Sequence, residues 1–281
     1  MMISLVVLLV VTAAAFYALR YYQQSYGSTR LRAVMHEGVR GVVELMTQEV
    51  GQAGLLNLAP RRTTAAVNVS LTPQSVRLTS IDGIFVGESL IVDLGSNEET
   101  VTVTAVDPST SAVSAVFKVA HAANSMVRGT GVFPQGVLSS STASELRLFG
   151  DINNDGTVVY LKYTCDVNAG TLTRSVTTLT PTVTTANAPE VLLDNVVPNP
   201  NSTPCFQYSS DVTAGPFTFR TQVGITLSVR TSEVDPQTGQ YVIMTKTFLN
   251  LSPRNVLNGL AMARAGLTAR LHNTPPNLPL S

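Results

Sequence analysis

The chain opens with an apolar run that carries no charged side chain, and this run constrains the fold more than any other feature. From Met1 to Leu19 the small polar side chains are Ser4 and Thr12, and the first charge is Arg20. A helix needs about 20 apolar residues to cross the ~30 Å hydrocarbon core of a bilayer. The run therefore predicts a membrane-spanning helix.

The charges that flank this run bear on its orientation. Arg20, Arg30, Arg32 and Arg40 all follow it, and the positive-inside rule would then leave the rest of the chain in the cytoplasm. Composition favours export instead, because the chain is rich in Thr, Ser, Val, Gly and Pro and only 13% charged. A basic leader upstream of Met1 would remove this conflict, and we expect one.

Charge and aromatic content argue against two classes of ligand. The 281 residues include 18 basic and 18 acidic side chains, which gives a formal net charge of zero. Nucleic-acid binding depends on contacts to phosphates, so a chain without a basic face has no electrostatic support for it. Trp is absent, which weakens the case for a platform that stacks sugars or bases. We expect no nucleic-acid partner.

The apolar run continues into an amphipathic stretch. Apolar side chains recur between Leu31 and Ala53 at close to the i, i+3, i+4, i+7 spacing of a helix, and Gly54 and Pro60 supply a stop. The spacing predicts one helix to about Gly54, within a first unit of residues 1–60. A simple signal anchor followed by a short stalk is the alternative.

From about Thr63 the apolar periodicity changes from helical to two-fold, which predicts strands. Segments such as SLIVDL and ETVTVTAV predict a small β-module over residues 61–137. A second series of strands, with a hairpin turn at Asp235–Gly239, predicts an antiparallel β-domain over 138–256. A C-terminal helix or tail follows over 257–281. These elements predict an α+β fold.

Several stretches, in this order, resemble a known family. MMISLVVLLVV resembles the residues that follow the N-terminal glutamate of mature type IV pilins. ELMTQEVGQAGLL resembles the Ala-Gly ending of the long helix in minor pilins of the PilW type. LFGDINNDGTVVYLKYTCDVNAGTLTRSV resembles their Asp-x-Asn-x-Asp-Gly turn with its Val-x-Tyr and Leu-x-Arg strands. KTFLNLSPRNV resembles their closing strand, with the Arg254-Asn255 pair. The resemblance covers residues 1–60 and about 140–256.

The resemblance implies a pilin-like fold: a long N-terminal transmembrane α-helix packed on an antiparallel β-sheet domain, with residues 61–137 as an inserted small β-module. It implies a minor pilin or pseudopilin, which is a structural and assembly subunit of a type IV pilus or type II secretion-like filament. Its partners would be other pilin subunits and the lipid bilayer. It would lie in the bacterial inner membrane as a single-pass protein with a periplasmic or extracellular C-terminal domain, and enter the filament on assembly. The family's leader, methylated N-terminal residue and glutamate would lie upstream of Met1.

An interpretation from a different class stays open. The chain would then be a membrane-anchored extracytoplasmic binding module with an adhesin-like role, in which residues 61–137 recognise a surface or a glycan. The helix would only tether that module. An in-frame Gly-Phe-Thr-Leu-x-Glu stretch upstream of Met1 would favour the pilin, and a plain basic leader would favour the anchor.

One turn has the spacing of calcium ligands. Asp151, Asn153 and Asp155 alternate as oxygen ligands do in the first half of an EF-hand loop. The position of the bidentate Glu is Lys162, which repels a cation, so the EF-hand interpretation fails. A calcium site of another kind stays open, but the same residues favour a metal-free hairpin turn, and we expect no metal.

Two cysteines offer a structural cross-link. Cys165 and Cys205 are the only cysteines, and such a pair in a cytosolic protein is unpaired about as often as bonded. In an exported chain we expect them to form a disulfide that pins the intervening Pro- and Asn-rich loop.

No residue pattern supports catalysis. His36, His121 and His272 lack the spacing of metal ligands, and neither a phosphate-binding loop nor a nucleophile elbow occurs. We expect no enzymatic activity and no cofactor.

Overall fold

A long N-terminal helix lies beside several antiparallel sheets in the computed structural model, which confirms the α+β class. The structure describes residues 2–54, 62–81, 84–129, 135–153, 155, 157–179, 183–271, 274 and 278–280. The helix ends and the strands begin where the apolar periodicity changes from helical to two-fold. Pro60, predicted as part of the helix stop, lies outside the described residues.

Helix α1 spans Met2–Gln52 without a break. At 1.5 Å per residue its 51 residues form a rod about 75 Å long. Side chains from Ile3 to Tyr22 are all exposed, whereas the second half has a buried apolar face. This buried face, with the residue just after the helix, consists of Met35, Val39, Val42, Val43, Met46, Val50 and Ala53. The second half of α1 therefore packs on the sheets, whereas residues 3–22 are exposed.

The strands are short and follow α1 in chain order. They are β1 Arg62–Thr63, β2 Gln74–Arg77, β3 Ser89–Val92, β4 Glu99–Thr102, β5 Ala105–Asp107, β6 Ala112–Ala115, β7 Met126–Gly129, β8 Glu145–Gly150, β9 Val159–Asp166, β10 Thr171–Thr178, β11 Glu190–Asp194, β12 Val196–Val197, β13 Phe206–Tyr208, β14 Val212–Ala214, β15 Phe217–Phe219, β16 Val223–Arg230 and β17 Ile243–Leu251. A second helix, α2, spans Arg254–Arg264.

Strands β1 to β7 form two small antiparallel sheets within the range predicted for the β-module. One sheet has the order β1-β7-β3-β4 and the other the order β2-β6-β5. The inner faces share a core that includes Leu90, Val101 and Phe117. In β4 the buried Val101 alternates with the exposed Thr100 and Thr102, as expected for a strand with one face in a core. This unit has its own hydrophobic core.

Strands β8 to β17 form the sheets on which α1 packs. One sheet has the order β11-β10-β9-β8. In the next, β16 pairs with β12 and β13 along one edge and with β17 along the other. The predicted turn at Asp235–Gly239 does join β16 to β17, and the Asp235 N–H donates to the carbonyl of Gln240 at 2.9 Å. Strands β14 and β15 pair as a hairpin beside α2.

A disulfide joins Cys165 at the end of β9 to Cys205, which directly precedes β13. The predicted cross-link is therefore present. It closes a loop over a sequence separation of 40 residues, which stabilises the fold by about 4 kcal/mol on the chain-entropy estimate. Both cysteines belong to the core that contains the buried face of α1, so the bond ties the two sheets together beneath the helix.

The β-module contacts the β-domain through a small apolar cluster. Phe85 meets Phe149 edge to face with ring centroids 6.4 Å apart, and Leu280 near the C-terminus is buried in the same cluster. An ion pair of 3.4 Å between Glu98 and Arg270 adds a second contact. The C-terminal segment therefore packs against both units.

Three glycines allow the backbone to cross itself at the end of α1. The Gly54 N–H donates to the carbonyl of Phe149 at 2.7 Å, next to Gly136 and Gly150. A Cβ added to Gly136 would overlap the backbone nitrogen of Gly54, and one on Gly150 would overlap its carbonyl oxygen. Any larger residue at these two positions would push the strands away from the helix end.

We expect Gly136→Ala to lower the free energy of unfolding by about 1–3 kcal/mol, the usual cost of overpacking, because backbone rather than a flexible side chain must move. Gly41 in α1 is the matched control, since nothing lies within 4 Å of a Cβ added there. Gly41→Ala should be neutral or stabilising by up to ~1 kcal/mol. Thermal unfolding of the detergent-solubilised chain, followed by circular dichroism, measures both. Equal melting temperatures for the two variants would contradict the close approach.

Candidate functional site

The described contacts fix the second half of α1 at both of its ends. The end near the β-module is held by Glu49, Tyr163, Arg174 and Asn255, which we call the distal junction. The end near the exposed half is held by Ser28, Arg32 and Asp235, the proximal junction. Residues 3–22, which lie beyond the proximal junction, are called the exposed segment.

The distal junction contains a buried ion pair. Glu49 is on the buried face of α1 with its side chain 4% exposed, and its carboxylate accepts hydrogen bonds from Arg174 of β10 and from the hydroxyl of Tyr163 of β9. Residues 163 and 174 are directly opposite each other in the β9–β10 ladder. The sheet therefore presents a cation and a neutral donor side by side to one carboxylate.

Protonation keeps Tyr163 in the role of donor. Burial, reinforced by the adjacent Glu49 carboxylate, raises the pKa of Tyr163 above its ordinary value of 10.0. The phenol is neutral at physiological pH and donates to Glu49, while Arg174 balances the charge. A buried carboxylate without such partners would cost several kcal/mol, so this arrangement specifies where the helix docks.

Asn255 completes the distal junction from the opposite side. Its Nδ2 donates to the carbonyl oxygens of Gln52 and Gly54, each at 3.1 Å. These are carbonyls at the C-terminal end of α1, where the helix itself supplies no partner. The amide therefore joins the end of α1 to the start of α2.

The proximal junction attaches α1 to the turn between β16 and β17. Asp235 is 1% exposed, and its Oδ2 accepts hydrogen bonds of 2.9 Å from both the Ser28 hydroxyl and the Arg32 guanidinium. Its Oδ1 accepts from the backbone N–H of Gln237 at 2.8 Å. The Arg32 hydrogen bond, followed by that from Gln237, lowers the pKa of Asp235 to about 2. The carboxylate is therefore ionised at physiological pH.

Every described side chain of the exposed segment is exposed to its surroundings. Its large apolar side chains are 53–83% exposed, from Ile3 at the highest to Leu19 at the lowest. Among the described helices, α1 is the one long and apolar enough to cross a membrane. A soluble protein rarely exposes so large an apolar surface, so the segment requires an apolar environment from outside the fold.

Both junctions contain residues that sequence reasoning did not single out. The apolar stripe of α1 includes Val42, Met46 and Ala53, and Glu49 falls on the same side of the helix as these residues. A charge at a stripe position is the signal that could have predicted a buried partner. Ser28 carries no such signal, and the sequence predicts Asp235 as part of a turn but not as a partner of α1.

The structure brings the calcium-like residues into one turn. The Asp151 carboxylate accepts the Asp155 N–H at 3.1 Å, and the Asp155 carboxylate accepts the Thr157 N–H at 2.8 Å. These contacts are those of a turn stabilised by its own side chains. The described residues contain no group of three or more His, Cys, Asp or Glu side chains arranged to hold a metal ion.

His121 lies in a polar cluster inside the β-module. Its Nε2 is 2.7 Å from Glu99 and its Nδ1 is 3.3 Å from Asp93, which also accepts from the Ser125 hydroxyl at 3.0 Å. The hydrogen bond from His121, followed by that from the Leu94 N–H, lowers the pKa of Asp93. The imidazole clamps the β3–β4 hairpin to the loop before β7. His272, the third histidine, lies outside the described residues.

Comparison with known proteins gave no match to a family model, a curated protein or a solved structure. The function is therefore inferred from the two junctions and the exposed segment.

Removing Arg174 should destabilise the fold strongly, because Glu49 would remain as a buried charge. We expect Arg174→Met to cost about 3 kcal/mol, the lower end of the range for breaking a buried pair, since Arg174 is partly exposed. Arg40→Met is the matched control, because its pair with Glu44 is exposed on both sides and screened by solvent, so its loss should change the stability little. The melting temperature of the solubilised chain is the measurement. Comparable losses in the two variants would show that Glu49 is not buried as described.

The proximal junction should make the stability of the fold depend on pH in the acidic range. Because the pKa of Asp235 is lowered from 3.8 to about 2, its contribution is present above pH 3.8 and is lost as the pH falls toward 2. Asp235→Asn should therefore weaken the decline of the melting temperature across this interval. Glu233→Gln, in the same loop but exposed, is the control and should leave the decline unchanged. An acid profile of Asp235→Asn that parallels the native one would refute the assignment.

Proposed function

We propose that the chain is a minor pilin or pseudopilin, a membrane-inserted subunit of a type IV pilus or type II secretion-like filament whose work is assembly. The exposed segment rests in the bilayer before assembly and among the helices of neighbouring subunits afterwards. The β-domain then contacts other minor subunits. Assembly moves the apolar surface of the exposed segment from lipid to protein, and it requires no covalent chemistry from this chain.

The observation that supports this proposal most strongly is that the two halves of α1 have different surroundings. The second half is fixed on the β-domain by ion pairs at both junctions, so it cannot rotate to hide the first half. The exposed segment, continuous with it, remains entirely uncovered. A helix that only tethers a domain needs no rigid attachment, whereas a subunit that must present its helix to neighbours does.

A second line of support comes from where the pilin-like motifs meet. Glu49 and Gly54 belong to the motif that ends the long helix, Arg174 to the Leu-x-Arg strand, and Asn255 to the closing Arg-Asn pair. All four lie in or beside the distal junction. Motifs separated by more than 200 positions thus serve one task, which is to hold α1.

The membrane-anchored binding module is the second candidate, and one observation favours it. The β-module has its own core and exposes Val69 by 58% and Leu71 by 96% in a loop between β1 and β2. Exposed apolar side chains in such a loop suit contact with an apolar surface. In this alternative the junctions would only brace the tether.

Mass spectrometry of the N-terminus, on protein from the native membrane fraction, tests the proposal. A methylated N-terminal residue just upstream of Met1 is the expected result, because prepilin processing leaves that mark. The chain should also occur with other pilin subunits in filaments sheared from the cells. Cleavage after the Ala13–Ala15 run, or an unprocessed start with the chain absent from sheared filaments, would overturn the proposal in favour of the anchored module.

A further inference from the structure

Four exposed tyrosines lie on about half of the circumference of α1 where its apolar run ends. Tyr17, Tyr21, Tyr22 and Tyr26 are 61–75% exposed, and the spacing distributes them over different sides of the helix. Tyrosine is enriched where a membrane meets water, because its ring suits the acyl boundary and its hydroxyl suits the headgroups. The run from Tyr17 to Tyr26 rises about 13 Å along the axis, which matches a headgroup layer and its margins.

The β16–β17 hairpin meets α1 directly above these tyrosines. From Ile3 onward, Ser28 is the first residue of α1 whose burial is complete, and Asp235 of the hairpin accepts its hydrogen bond. A Cβ added to Gly27 would lie 3.3 Å from Cγ of Pro236. Gly27 is only about 7 Å along the axis from Tyr22, which is comparable to the thickness of one headgroup layer. The hairpin therefore contacts α1 within two helical turns of the exposed segment.

The surface of the hairpin fits contact with lipid headgroups. Val234 and Tyr241 are each 44% exposed, and the Tyr241 ring stacks on the Arg230 guanidinium at 4.5 Å. A groove of about 440 Å³ between α1 and the loop is lined by Arg30 and Glu233 together with apolar side chains. Arg32 is engaged by Asp235, whereas Arg20 and Arg30 make no described ion pair and can approach lipid phosphates.

We propose that the β16–β17 hairpin and the segment Tyr17–Tyr26 form one lipid-contacting surface, on which the β-domain rests against the phosphate-bearing headgroups. The proximal junction sets the height and tilt of the domain above the membrane. This inference rests on the proposed insertion of α1 and adds a second, peripheral contact to it. The continuity of the hairpin with the membrane-crossing helix identifies lipid as the occupant of this surface.

The absence of Trp allows single tryptophans to report their depth without background. Four variants of the full chain are placed in phosphatidylglycerol–phosphatidylcholine vesicles: Val10→Trp in the exposed segment, Tyr22→Trp, Tyr241→Trp on the hairpin, and Leu71→Trp on the β-module as control. Their fluorescence is measured with quenchers attached either to the headgroup or deep in the acyl chain. Tyr22→Trp and Tyr241→Trp exchange one aromatic ring for another.

The expected pattern separates the two proposals. Val10→Trp should be quenched by the deep label, Tyr22→Trp and Tyr241→Trp by the headgroup label, and Leu71→Trp by neither. If Val10→Trp escapes the deep label, insertion itself fails. If Val10→Trp is quenched but Tyr241→Trp behaves as Leu71→Trp does, insertion stands and the hairpin contact is overturned.

A further pair of variants tests the role of the proximal junction. Asp235→Asn, added to Tyr241→Trp, should reduce quenching by the headgroup label because the hairpin loses its ion pair with Arg32. Glu190→Gln in the same background, which removes an exposed carboxylate at the start of β11, should preserve the quenching. Unchanged quenching in the Asp235→Asn variant would show that the junction does not position the hairpin.

Discussion

The buried pair of Glu49 and Arg174 determines how the long helix sits, and the rest of the architecture depends on that placement. Rotating α1 by one residue would turn Glu49 by about 100° away from the β9–β10 ladder and leave both charges unmatched. The pair therefore selects one register of the helix on the sheet. In that register Met35 to Ala53 cover the core, and Ser28 reaches Asp235 at the other end. A local electrostatic requirement thus fixes contacts more than 30 Å along the axis.

The large elements could be predicted from the sequence because each is specified by a local pattern. The uncharged run and the helical spacing after it predicted a single helix to about Gly54, and α1 ends at Gln52. The Asp235–Gly239 turn was predicted from residues that favour tight turns, and it joins β16 to β17. The disulfide followed from composition and the expectation of export. For the helix and the turn, the sequence signal lies within a few neighbouring residues. For the disulfide, the chain contains only two cysteines, so only one pairing within the chain is possible.

The contacts that fix α1 could not be predicted in the same way. Arg174 and Asn255 lie in motifs that resemble those of minor pilins. The residues next to them in the sequence do not show that both contact the end of a helix that precedes them by over 120 positions. The stretch from Phe217 to Arg230 has the alternation of one strand, but it is divided between β15 and β16, which belong to different sheets. Such features depend on how sheets stack, and sequence periodicity carries no information about stacking.

The close approach of Gly54 and Gly136 affects how the β-module can change in evolution. The chain leaves α1 at Gly54, builds the β-module, and returns to within van der Waals contact of the same point at Gly136. The segment between these two glycines therefore begins and ends at the same point of the β-domain, whatever its length or content. A change in the length of the loops between β1 and β7 would therefore leave the backbone at the end of α1 and at β8 in place. The apolar contact between Phe85 and Phe149 still holds the β-module against the β-domain, so the loops of the module can diverge as long as that contact and the two glycines are kept.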